Sequence, residues 1–103
     1  MRRGEVRWYR FGRPDKKRPV LVLTRDSALD YLGEVTIAPM TTTIRDIPSD
    51  VRLGPEDGVP RHCAVNCDHL QTVSKARLGK LVTRLPADRM KEVSHAVTFA
   101  LDL

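Results

Sequence analysis

The sequence predicts a mainly β fold: an antiparallel, barrel-like sheet closed by one carboxy-terminal helix. Two observations carry that expectation. Short apolar runs with β-branched residues recur through most of the chain, each bounded by Gly, Pro, Asp or Thr. Only the last segment changes period, with apolar residues at steps of three and four. At 103 residues the chain is long enough for one modest core and not for two, and it holds no repeat, low-complexity tract or Gly/Ser linker. Residues 1–103 are therefore expected to form a single domain.

Glu5-Val6-Arg7-Trp8-Tyr9-Arg10-Phe11 reads as the first strand, with Val6, Trp8 and Arg10 on one face and Arg7 and Tyr9 on the other. Gly12 to Lys17 is a polar loop broken by Pro14. The cations Lys16, Lys17 and Arg18 end at Pro19, and the unbroken run Val20-Leu21-Val22-Leu23 follows as a buried strand. Pro19 biases Arg18 toward an extended backbone, so its guanidinium can be held at the mouth of the sheet. Asp26 to Gly33 is a polar connection with room for one helical turn. Strand character resumes at Glu34 to Met40, where Pro39 suggests a strand end or an edge.

Thr41, Thr42 and Thr43 place three hydroxyls just beyond that strand. Asp50 to Leu53 is a further short strand, Gly54 to Pro60 a loop, and Arg61 to Leu70 alternates enough to read as one strand. Thr72 to Gly79 reads as a helical turn capped by Ser74, and Lys80 to Leu85 as the last strand. Pro86 and Asp88 suit a first helical turn. Met90, Val93, Val97 and either Ala100 or Leu101 then make the apolar stripe of a helix over residues 86 to 101.

Lys plus Arg number 18 against 13 Asp plus Glu, a formal charge of +5. A basic balance of this kind favours a polyanionic partner, and nucleic acid is the most economical one because each neutralised phosphate releases counterions. No apolar run is long enough to span a bilayer, and Met1 to Val6 lacks the apolar core of a signal peptide, so a cytoplasmic protein without a membrane partner is expected.

Cys63 and Cys67 on one strand face would lie about 13 Å apart, too far for a disulfide. Their spacing to His62 and His69 is not that of a zinc finger or ribbon, so small buried thiols are the better reading and no metal or other cofactor is expected. If the 61–70 strand alternates, His69 shares a face with Cys63, Val65 and Cys67, which favours a packed ring over a catalytic one, while Asp68 lies on the opposite face.

Five blocks in register carry a family resemblance: Met1-Arg2-Arg3-Gly4-Glu5-Val6, Arg18 to Leu23, Ala38-Pro39-Met40-Thr41, Cys67 to Val73 and Arg77-Leu78-Gly79. Together they resemble the MazF/PemK toxin endoribonucleases over nearly the whole chain. The resemblance implies a small SH3-like or plasmid-maintenance barrel, and a homodimeric toxin that cuts single-stranded RNA and is silenced by a small acidic antitoxin. It places the catalytic assignment on Arg18 and Thr41, and adds Asp68 as a carboxylate used by some members. Arg13, Lys16, Lys17, Thr42, Thr43 and Gln71 are the companion candidates for RNA binding. His69 and Gln71 stand where many members have Gln and Arg, and the loop before Arg18 lacks the common Glu-Gln-Gly. A noncatalytic RNA-binding barrel and a gyrase-poisoning relative of the same fold are the alternatives, and the pairing of Arg18 with Thr41 favours the nuclease.

RNA carries its own nucleophile. The 2′-hydroxyl can attack the adjacent phosphate if something orients it, stabilises the phosphorane and protonates the leaving 5′ oxygen. A guanidinium is always charged and presents five donors, which suits Arg18 to stabilisation and not to base catalysis. The Thr41 hydroxyl can donate to the same phosphate or position the 2′-hydroxyl. The general base is not assigned by the sequence.

Overall fold

The computed structural model describes residues 1–12 and 17–103. Seven antiparallel strands form a half-barrel: β1 (Glu5–Arg10), β2 (Lys17–Val22), β3 (Glu34–Thr41), β4 (Asp50–Leu53), β5 (Cys63–Asn66), β6 (Gln71–Ser74) and β7 (Leu81–Arg84). A single helical turn, α1 (Asp26–Leu29), joins β2 to β3, and α2 (Ala87–Leu101) closes the chain. The strand order is β4-β5-β3-β2-β1-β7, with β6 also paired to β3. Among the described residues no helix is long and apolar enough to cross a membrane.

Strand β2 shows why its apolar run is unbroken. Most antiparallel strands bury one face and alternate with polar residues. Here Leu21 enters a core with Val6, Ala38, Val65 and the α2 residue Val93, while Val20 and Val22 enter a second core with Tyr9, Leu29, Val35 and Ile37. Both faces of β2 are covered, so every position from 20 to 22 is fully buried. The two faces expected for the first strand are divided in the same way, Val6 facing one core and Tyr9 the other. On α2, Val93 and Ala96 are buried and Met90, Val97 and Ala100 pack at the margin, whereas Leu101 is 53% exposed. The stripe therefore runs through Ala100.

Three readings of the chain are corrected. Pro39 neither ends β3 nor lies on a sheet edge; it pairs with Val20 inside the strand. The Leu23 amide donates to the Thr36 carbonyl at 2.9 Å, so the even-numbered positions of β3 turn their polar backbone groups toward the β2 side, and the amide position of Pro39 faces the other way. On that side β3 pairs with β6 through Glu34 to Ile37 and with β5 only at Met40 and Thr41. Pro39 occupies the interval, where no partner needs a donor.

Residues 61–70 are not one strand. Strand β5 stops at Asn66, whose Oδ1 accepts the Asp68 amide at 3.2 Å and caps a 3₁₀ turn over Cys67–His69. An Asn side chain that satisfies a backbone donor in this way competes with the ladder and takes the chain out of the sheet. The alternation argument for Asp68 and His69 fails with it. Residues Gln71–Ser74 are strand β6, and the 3₁₀ turn that follows is limited to Lys75–Arg77, with no capping bond from the Ser74 side chain.

Cys63 and Cys67 are buried free thiols. Burial, with the nearby Asp50 and Asp68 carboxylates adding, pushes the Cys67 thiol up to about 11, and burial followed by Asp57 raises that of Cys63. Neither is poised as a nucleophile.

The loop after β4 is fastened to α2 by a forked ion pair, Arg89 Nε to Asp57 Oδ1 at 2.8 Å and Nη2 to Oδ2 at 3.2 Å. The same carboxylate accepts the Gly54 amide at 3.0 Å, and Gly58, at φ 91°, takes the left-handed conformation that a glycine allows. Burial alone would raise the Asp57 carboxyl, but the Arg89 and Gly54 donors outweigh it and hold the group below its ordinary value. A depressed folded-state value means that the pair stabilises the fold above the unfolded carboxylate range and ceases to do so as pH falls through the folded value. Arg89→Ala is expected to cost about 1–3 kcal/mol at neutral pH in urea titrations, and the gap to the parent is expected to shrink on acidification. A gap that stays constant down to pH 2 would show that the lost interaction is not the ion pair.

Candidate active site

The site forms where β2 begins and β3 ends. The β2–β3 ladder is paired up to Val20↔Pro39, and just beyond it Arg18 of β2 and Thr41 of β3 line the same two recesses. Arg18 pairs with Tyr9 of β1, so its backbone is held in the ladder while its side chain is exposed. Thr41 is fixed by its own turn: its Oγ1 accepts the Thr43 amide at 3.1 Å, which leaves the hydroxyl proton to be donated elsewhere.

Arg18 and Thr41 form a wall shared by two recesses. The smaller, about 250 Å³, continues past them to Phe11, Asn66, His69 and Gln71, with Pro39 and Met40 also lining it. The larger, about 510 Å³, is lined on its polar side by Lys17, Thr42, Thr43 and Arg61 and on its apolar side by Trp8, Pro19, Met40, Pro60 and Cys63. Beyond the shared Arg18 and Thr41, one recess thus offers amide and imidazole side chains beside an aromatic ring, and the other offers further cations and hydroxyls. The Phe11 ring stands edge-on to Tyr9 at a centroid distance of 4.8 Å, and the Arg77 guanidinium covers the Tyr9 ring at 5.3 Å.

Of the residues singled out from the sequence, the structure brings together Arg18, Thr41, Lys17, Thr42, Thr43, His69 and Gln71. His69 is exposed on the 3₁₀ turn, and the packed-ring reading gives way because the strand it assumed ends at Asn66. Asp68 is placed elsewhere: its Oδ2 accepts the buried Ser49 hydroxyl at 2.6 Å, and it lines neither recess. Arg13 and Lys16 lie outside the described residues. Phe11, Asn66, Trp8 and Arg61 are site-lining residues that sequence reasoning passed over. The Arg61 cation next to Pro60 repeats in reverse the Arg18-Pro19 pattern, and was the available signal for one of them. Among the described residues no three His, Cys, Asp or Glu side chains converge as a metal would require.

An arginine and a threonine thus stand side by side over a basic recess in a small antiparallel half-barrel. The pattern of the PemK-like, MazF-like toxins of type II toxin-antitoxin systems matches residues 2–101, and the chain belongs to that family. It is 43% identical over 101 residues to the probable endoribonuclease MazF5 of Mycobacterium tuberculosis, covering 97% of this chain and 92% of that one. The probable endoribonuclease MazF2 of the same organism is 40% identical, with 94% of each chain covered. Among solved structures, the Mycobacterium tuberculosis toxin MazF-mt6 superimposes with a TM-score of 0.87 at 33% identity, covering 96% of this chain and 97% of that one. An endoribonuclease from a mycobacterial species, solved with its cognate antitoxin, gives 0.88 at 27% identity, covering 100% and 96%. The family and fold expected from the sequence are those found.

Proposed function

We propose that this chain is the toxin of a type II toxin-antitoxin pair, an endoribonuclease that cuts single-stranded RNA without a metal ion and leaves a 2′,3′-cyclic phosphate and a 5′-hydroxyl. The observation that carries the reading is that Arg18 and Thr41, from adjacent strands, line both recesses. A phosphate lying on that wall meets a fixed cation and a hydroxyl with a proton to give. Arg18 stabilises the charge that builds on the phosphorane oxygens, where a preorganised donor is worth most. Thr41 donates to the same phosphate or orients the attacking 2′-hydroxyl. His69, in the recess beside them, is the group we assign to proton transfer, because an imidazole can give or take a proton near neutral pH. Lys17 and Arg61 line the track for the neighbouring phosphates, with Thr42 and Thr43 as further donors.

The whole chain acts as one domain in the cytoplasm, where its RNA is found. Its partner in this reading is a small acidic antitoxin that competes with RNA for the basic recess; a related mycobacterial endoribonuclease is solved with its cognate antitoxin. The working unit is a homodimer whose symmetric interface doubles the basic surface. The decisive experiment incubates the purified chain with end-labelled single-stranded RNA in EDTA and identifies the product ends. Cyclic phosphate and 5′-hydroxyl ends support the reading. Binding without cleavage would make the chain an RNA-binding barrel, and inhibition of DNA gyrase without cleavage would make it a topoisomerase poison.

Thr41→Val keeps the shape of the side chain and removes the hydroxyl. Single-turnover cleavage is expected to fall about five- to tenfold, the worth of one hydrogen bond of roughly 1–1.5 kcal/mol, with RNA affinity changed much less. Equal losses in rate and affinity would make Thr41 a binding residue only.

A further inference from the structure

We infer that the smaller recess holds one nucleobase next to the scissile phosphate, and that Asn66 sets which base is accepted. The inference rests on the nuclease reading above and adds to it a residue that neither the sequence nor the family assignment singles out. At about 250 Å³ the recess is smaller than the roughly 300–1,000 Å³ of a pocket for a drug-sized molecule, and suits a single flat heterocycle. Phe11, held in a T-shaped pair with Tyr9, lines the recess and brings an aromatic ring beside the place proposed for the base, where stacking would accept any of the four. Stacking does not discriminate between bases, so selection falls to the polar groups.

Asn66 is the most constrained of them. Its Oδ1 is committed to the Asp68 amide, which settles the orientation of the side-chain amide and leaves the Nδ2 group with no protein acceptor among the described residues. Asn66 therefore presents a donor. A donor aimed at the edge that carries O4 of uracil or O6 of guanine pairs with that oxygen, and opposes the amino group that cytosine (N4) or adenine (N6) carries at the same position. Gln71 can rotate to supply either a donor or an acceptor and so adds affinity without fixing identity. The placement of Arg18 and Thr41 on the recess wall puts this base at a nucleotide adjoining the cut.

The test is cleavage of a randomised single-stranded RNA pool, with the cut positions read by sequencing. For the parent chain, uracil or guanine is expected to dominate one position next to the cut. Asn66→Asp keeps an oxygen for the Asp68 amide but replaces the donor with an acceptor, and is expected to move the keto-to-amino ratio at that position by about tenfold toward cytosine and adenine. Asn66→Ser also keeps a capping oxygen, brings no new charge, and is expected to erase the preference there while the rest of the motif persists. Melting curves verify that both variants fold, and if Asn66→Asp does not, Asn66→Ser decides. A parent chain that cuts no RNA overturns the nuclease reading itself. A parent that cuts, with variants that keep its base profile or lose rate equally at every site, overturns the inference and leaves the nuclease standing.

Discussion

Replacing Arg18 with alanine is expected to slow single-turnover RNA cleavage by about 10²–10³-fold, the loss seen when one preorganised transition-state donor is removed. The melting temperature should stay close to that of the parent, because the Arg18 side chain is exposed and its backbone remains paired with Tyr9. The effect should appear in the chemical step more than in affinity, since Lys17 and Arg61, the cations proposed for the flanking phosphates, still line the larger recess. Arg18→Lys should recover only part of the rate: a lysine restores the charge but not the planar fork that spans two oxygens. A rate within threefold of the parent for Arg18→Ala would remove Arg18 from catalysis.

Leu21→Ala is expected to lower the unfolding free energy by about 2–5 kcal/mol, measured by urea denaturation. Leu21 is fully buried and meets Val6, Ala38 and Val93, so the vacated space is lined by a strand on either side and by the terminal helix. None of these can collapse inward freely, because Val20 and Val22, on the opposite face of the same strand, are held in the second core. Cleavage per folded molecule is expected to change little, since the β2–β3 ladder that brings Arg18 and Thr41 to the same recesses is maintained. A loss below 1 kcal/mol would mean that the two cores are not independent supports of β2.

The parts of the fold that were legible in the sequence are those written in local pattern. The Val20 to Leu23 run, the period change after Pro86 and the turn residues at Gly54 to Pro60 each announce themselves within a few positions, and each lies where expected. What could not be read depends on pairing at a distance or on one side chain's choice of partner. Strand β6 buries Val73 alone, while Gln71 and Thr72 stay exposed, so its strand character comes from the edge of β3 and not from its own residues. Asn66 ends β5 through a single hydrogen bond, and the parity of everything after it changes at once. At the site, Arg18 and Thr41 were legible through a family likeness, but their meeting at the two recesses is a property of strand pairing. Phe11 and Asn66 belong to the recess only because two connections meet there.

The interval at Pro39 bears on more than strand pairing. A curved sheet that parts to make a hollow leaves an unlaced seam in its weave, and a bare amide along such a seam is an invitation to a stray β-strand from another chain. Proline has no amide hydrogen to offer, and this one lines the hollow itself. At the hollow proposed for RNA, a strand added from another chain would therefore find a carbonyl at Pro39 but no donor, which weakens backbone pairing at that position.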